Sequence, residues 1–278
     1  MAIAAILVFP QHCAKSAQNA LRLWGLSVVP SLFPYMVLSK VLAEQLKKKK
    51  IPATLCAASL GLLGGSPSGA AAVSAYGDVL PRKKILALSA LTGTISPAFL
   101  NGMVGAWLRS TKAALLLTAS HFAGAIFAYA CVQSLFRFGA ISTEGTAPRS
   151  KEMHKPGDPL SDSIQAVLAV GGYIVVFSVL ADLAALLPCL PPAACAFIHA
   201  LLEAAGGMHA VSRLPLTLFQ KCIFIAALSG FSGISILYQN SVFLRPLGVS
   251  MKNLCLFALL RTAGAGMAMA LFFYLSMS

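Results

Sequence analysis

The chain has 278 residues, of which 58% are hydrophobic and only 10% charged, with a mean hydropathy of +0.81. That balance excludes a soluble globule, whose surface needs roughly a quarter to a third of charged residues, and points to a polytopic membrane protein. The net charge of +13 would suit nucleic acid in a soluble protein. Here most basic residues stand between apolar segments, where membrane topology accounts for them, so no nucleic-acid partner is read from them.

In chain order, residues 1–10 are apolar but too few to cross, and no basic region precedes them as in a signal peptide. They read as the remainder of a first helix. Residues 12–24 mix Lys15, Gln18, Asn19 and Arg22 with apolar positions and fit an interfacial helix ending at Trp24. Residues 26–46 form a first crossing, interrupted by Pro30 and Pro34. Next come four lysines, Lys47 to Lys50, then about 30 small or apolar residues around Gly64-Gly65-Ser66-Pro67-Ser68-Gly69, then Arg82-Lys83-Lys84.

Lys and Arg beside apolar segments are held cytoplasmic, so a segment basic at both ends most simply enters and leaves by one face. Residues 51–81 are too short for two spanning helices of roughly 20 residues each. They are expected to form a re-entrant hairpin, with one tilted helix plus a loop as the alternative. Irregular backbone at membrane depth survives only where protein buries it or it lines a watery cavity, which makes the 64–69 tip a candidate site.

Further crossings are expected at 85–108 and 112–136, then a cytoplasmic linker at 138–160 rich in Gly, Ser, Thr, Pro and charge. After it come 161–187, a second short broken stretch at 190–212, and crossings at 216–243 and 252–277. The seven cysteines (13, 56, 131, 189, 195, 222, 255) contain no C-x-x-C, so neither a zinc site nor a disulfide framework is supported. They read mostly as small core residues.

The halves resemble each other. Val41-Leu42-Ala43-Glu44 recurs as Val179-Leu180-Ala181-Asp182, Gly64-Gly65 as Gly206-Gly207, and Ala90-Leu91-Thr92-Gly93 as Ala227-Leu228-Ser229-Gly230. The fold class expected is therefore an all-α polytopic membrane protein of two repeats, 1–137 and 161–278, with hairpins at 51–81 and 190–212. Three full crossings in the first repeat would invert the second. Under that topology 13 basic residues lie on the cytoplasmic side and six on the other, while Lys40 and Arg261 fall within apolar segments.

Inverted repeats with a broken element in each half are one way of building a secondary transporter, with substrate held where the broken elements meet. A half-helix beginning after Ser66-Pro67-Ser68 would aim backbone N–H groups at the cavity, which suits an anion. Ser66 and Ser68 would add hydroxyls. The bland alternative is that Gly and Ser only permit close helix packing.

Glu203, in Leu201-Leu202-Glu203-Ala204-Ala205-Gly206-Gly207, is costly within a membrane. It is therefore a candidate to carry a coupling proton or bond a polar substrate; otherwise it partners His199, Arg213 or a backbone N–H. Lys40, Glu44 and Asp182 lie near helix ends, where snorkelling suffices. Thr92-Gly93-Thr94-Ile95-Ser96-Pro97 and Ser229-Gly230-Phe231-Ser232-Gly233-Ile234-Ser235, with Gln239 beyond, break two crossings at equivalent places and would free carbonyls for a cation or a hydroxyl. In the bland reading those Ser and Thr bond their own helix.

Pro30-Ser31-Leu32-Phe33-Pro34, Gly65-Ser66-Pro67-Ser68-Gly69-Ala70, Leu202-Glu203 before Gly206-Gly207, and Phe231-Ser232-Gly233-Ile234-Ser235 with Gln239 together resemble the YlbJ-type sporulation integral membrane proteins with nucleoside-recognition (Gate) domains, from about 17 to 277. The Gate domain is similar to half of the concentrative nucleoside transporter fold. The resemblance implies a spore-forming bacterium, the membrane around the forespore, and movement of dipicolinate from mother cell toward forespore. It departs from the family pattern at Gly93, which stands where an amide side chain is common, and at Ala204 and Ala205, where a Thr follows the Glu.

The expected substrate-binding set is Gly65, Ser66, Pro67, Ser68, Gly69, Thr92, Thr94, Ser96, Glu203, Ser232, Gly233, Ser235 and Gln239. The expected function is secondary transport of a small carboxylated solute, with a nucleoside-like solute or a non-transporting sporulation scaffold as alternatives. No cofactor or metal site is expected beyond a coupling H+ or Na+, and a homo-oligomer is possible. An enzyme is not expected. Tyr76-Gly77-Asp78 only superficially resembles the Gly-x-Gly-Asp of intramembrane aspartyl proteases, because Ala75 replaces the first Gly and Asp78 sits beside the Arg82 cluster.

Overall fold

The computed structural model describes residues 6–48, 51–137, 158–186 and 191–275. Most of the expected 138–160 linker lies outside the described residues. Among them there is no strand. The helices are α1 (Pro10–Leu23), α2 (Val29–Lys48), α3 (Ala53–Gly64), α4 (Ser68–Ala75), α5 (Arg82–Thr92), α6 (97–108), α7 (Thr111–Arg137), α8 (Pro159–Ala185), α9 (Pro192–Leu202), α10 (Ala204–Arg213), α11 (Leu218–Phe231), α12 (Gly233–Leu244) and α13 (Met251–Leu275).

Among the described residues, five helical stretches are long and apolar enough to span a bilayer: Arg82–Leu108, Thr111–Arg137, Pro159–Ala185, Leu218–Leu247 and Met251–Leu275. They coincide with five of the six expected crossings. The sixth, over 26–46, is helical, but α2 carries Lys40, Glu44, Lys47 and Lys48 in its second half and is not among the five. The long helices turn large apolar side chains outward, including Leu115, Leu168, Leu259 and Leu271, as a lipid-facing surface requires.

Two of the five are interrupted, and local chemistry explains where. The first stops at Thr92 and restarts where Ser96 accepts from the Phe99 amide at 3.2 Å, with Pro97 in the first turn. A serine cap followed by proline is a helix-start signal. The second breaks at Ser232 and Gly233, both in the left-handed region with φ of 69° and 79°.

Residues 51–81 form a helix pair that folds back on itself. A Cβ on Gly69 would lie 3.1 Å from Gly61 O, so the two backbones touch near the turn. Gly65 has φ 66° and ψ −171°, a conformation essentially reserved for glycine, and the Ser66–Pro67 peptide is cis. The second pair, α9 and α10, turns at Glu203 alone, whose backbone is extended (φ −135°, ψ 116°).

Three apolar clusters hold these parts together. One gathers α3, α4 and α5 against α12 and α13. A second joins α6 and α7 to α9, α10, α11 and α13. The third packs α1 and α2 on α8, where Trp24 Nε1 donates to Val167 O at 3.1 Å and the ring occupies the space a side chain at Gly171 would need. Lys40 pairs with Asp162 (3.6 Å) and His199 approaches Asp182 (3.6 Å), so two of the residues expected to snorkel have partners.

Candidate functional site

Each helix turn abuts a helix break in its own half of the chain. At the first, the Ser66 amide donates to Thr94 O, and a Cβ on Gly65 would come within 2.7 Å of Ser96 Cβ. At the second, a Cβ on Gly233 would lie 3.0 Å from the Ala204 amide nitrogen. The halves are joined by Ser66 Oγ, which donates to Asn240 Oδ1 at 2.7 Å. Tyr35 ties α2 to this frame through a hydrogen bond from its hydroxyl to Leu60 O.

Both turns open on one cavity of about 470 Å³, within the range small-molecule sites occupy. Gly64, Ser66 and Pro67 line it from the first turn, and Glu203, Ala204 and Ala205 from the second. Ile95, Ser96, Phe99 and Met103 of the first broken helix, Ile236 and Gln239 of the second, and Val170 and Ile174 of α8 complete most of the wall. Tyr35 also lines it, with its hydroxyl donating to Leu60 O. Among the described residues Glu203 is its sole carboxylate, and no Lys, Arg or His lines it to oppose that charge.

Glu203 is 6% exposed. Its carboxylate accepts from the Ala205 amide (3.0 Å) and the Gly206 amide (2.6 Å), capping α10 with charge-assisted hydrogen bonds at the positive end of the helix dipole. The partner it takes is thus backbone N–H, while His199 faces Asp182 instead. By contrast, α4 has no side-chain cap. One turn therefore already holds its own anion, and the other leaves its helix start without one.

Of the expected site residues, Ser66, Pro67, Ser96, Glu203 and Gln239 line the cavity. Ser68, Thr92, Thr94, Ser232 and Ser235 are fully buried behind it, and Gly65, Gly69 and Gly233 shape the backbone. Thr92 Oγ1 lies 2.9 Å from Leu88 O and 3.3 Å from Gly69 O. Ser232 Oγ donates to Ser229 O (2.8 Å), and Gln239 Nε2 to Ser235 Oγ (3.1 Å). Ser68 Oγ, Thr94 Oγ1 and Asn240 Nδ2 are buried without a protein partner. No group of three or more His, Cys, Asp or Glu suited to a metal occurs among the described residues.

Sequence reasoning missed Tyr35, Asn240 and His121. His121 is buried, with Nδ1 3.1 Å from Ser229 Oγ and Nε2 3.1 Å from Ile95 O. A carbonyl only accepts, so Nε2 carries a proton. It also assigned no role to Arg261, which lies at the centre of the breaks. The available signal was a strongly polar side chain inside an apolar helix.

The chain is similar to the "Sporulation integral membrane protein YlbJ" of Bacillus subtilis (strain 168), with 22% identity over 90% of this chain and 74% of that protein. No family model and no solved structure matches it. With its five membrane-length apolar helices, it is an integral protein of the bacterial membrane and a homologue of a sporulation membrane protein.

Proposed function

We propose that this chain is a secondary transporter of the sporulating cell, carrying a small solute through the cavity where its two helix turns meet. The observation that carries this reading is that Ser66-Pro67 and Glu203-Ala204, far apart in sequence, face the same cavity beside two interrupted membrane helices. Irregular backbone at such depth belongs where a solute passes. In this reading 51–81 and 190–212 are re-entrant hairpins of two inverted repeats, each related to the Gate domain.

Dipicolinate is the solute the family resemblance favours. A cavity with Glu203 and no basic side chain would repel a free dianion, so a dicarboxylate would bind with its charge masked by protons or by a cation. The same electrostatics favour an uncharged nucleoside-like solute, whose hydroxyls would find Glu203, Gln239 and Ser66. Uptake of labelled dipicolinate and of labelled nucleosides into proteoliposomes separates the two. Uptake and binding of neither would leave the scaffold role.

A further inference from the structure

Broken membrane helices expose carbonyl ends that attract cations. In this chain one carbonyl at each of those ends already has a cationic partner. Arg261, near the middle of α13, is 2% exposed. Its Nε donates to Gly230 O at 3.2 Å and its Nη1 to Ala90 O at 3.1 Å. Ala90 and Gly230 lie in the last turns of α5 and α11, the helices that stop at the two breaks.

Three neighbouring carbonyls are met locally: Ser89 O by the Gly93 amide, Leu228 O by the Ser232 amide and Ser229 O by the Ser232 hydroxyl. Each helix C-terminus carries about half a negative charge. Two of them therefore match the single charge of one guanidinium. The ion pairs Lys40–Asp162 and His199–Asp182 do not involve Arg261.

The backbone is built around this contact. A Cβ at Gly230 would lie 2.7 Å from Arg261 O, and one at Gly124 of α7 equally close, so α13 is pressed against both neighbours. A Cβ at Gly93 would stand 3.3 Å from both Arg261 Nη1 and Asn240 Nδ2, which places the guanidinium directly behind the first break.

We propose that Arg261 is a tethered cation, filling between the two broken helices the electrostatic role that a dissolved coupling cation would otherwise fill, so that solute binding by this protein needs no sodium. The coupling aspect rests on the carrier reading above; the ion site itself does not. The test is thermal unfolding of the full chain, purified in detergent, in sodium chloride against choline chloride at equal ionic strength. Wild type should unfold within about 1 °C in the two salts. Arg261→Ala should lose roughly 10 °C or more, for two charge-assisted hydrogen bonds, and regain part of it with sodium or low-millimolar guanidinium. Arg261→Lys should respond to neither ion.

Sodium-specific stabilisation of wild type would overturn the proposal, as would a folded Arg261→Ala variant indifferent to every cation. If Arg261→Ala does not fold, the wild-type comparison decides. Solute uptake is read separately: sodium-dependent uptake would sink this inference while leaving the carrier reading intact. Absence of any uptake or binding, with the ion response as expected, would do the reverse.

Discussion

Glu203 holds two positions at once, as the cap of α10 and as the acid of the cavity, so its replacement should move two observables. Glu203→Ala removes both acceptors of the Ala205 and Gly206 amides. Losing an N-cap costs about 0.5–2 kcal/mol, and losing its charge at a partly buried helix start up to about 2 more. Because Glu203 and Ala205 line the cavity, water can replace part of what the carboxylate supplied, which argues for about 2–3 kcal/mol in all. Glu203→Gln keeps one acceptor oxygen and should cost about 1 kcal/mol. At roughly 2–4 °C per kcal/mol for a chain of this size, thermal unfolding in detergent should order the proteins as wild type, Gln, Ala. An alanine variant as stable as wild type would refute the capping account.

Ligand binding by the Gln variant tests the cavity account. A carboxylate about 6 Å from an ionised Glu203 at an effective dielectric near 20 is repelled by roughly 3 kcal/mol. Glu203→Gln should therefore tighten a free dicarboxylate by about a hundredfold. A hydroxyl-bearing neutral solute should instead lose roughly 1.5–3 kcal/mol, one charged hydrogen bond. Calorimetry with dipicolinate and with a nucleoside, on wild type and variant, checks both signs. Unchanged affinity for both would remove Glu203 from the binding site.

Gly65→Ala should destabilise by about 3 kcal/mol or more, since the new Cβ meets Ser96 and the backbone is glycine-only; a melting point equal to wild type would contradict it. Ser68 opens α4 behind the cavity wall, so Ser68→Pro deletes one helix-start N–H while leaving the lining residues Ser66 and Ser96 in place and should weaken, not abolish, binding of an anionic solute; dipicolinate affinity equal to wild type would move the anion site away from this turn. Tyr35→Phe deletes the bond to Leu60 O and should cost about 1 kcal/mol, read by the same thermal assay. Single cysteines at Lys47 and Arg82, in a cysteine-free background, should both react with an impermeant maleimide from one face of the membrane; labelling from opposite faces would end the re-entrant reading of 51–81.

Much of the architecture was legible in one dimension because it rests on local chemistry. Apolar runs of 25–30 residues have to span, and Ser96-Pro97 and the glycine beside Ser232 interrupt a helix whatever surrounds them. Gly64-Gly65-Ser66-Pro67 likewise has to turn. What needed the tertiary structure was where the side chains at those breaks point. A broken helix loses its 3.6-residue phase, so nothing in the spacing could tell that Ser66 and Gln239 face the cavity while Ser68, Thr94 and Ser235 are buried behind it. Nor could it tell that Glu203 would spend its carboxylate on its own helix, since an N-cap and a proton carrier look alike in sequence. Arg261 is the clearest case. As one basic residue in an apolar run it is indistinguishable from a snorkelling side chain, and only the convergence of α5, α11 and α13, brought together by Gly124 and Gly230, turns it into the counter-charge for two helix ends.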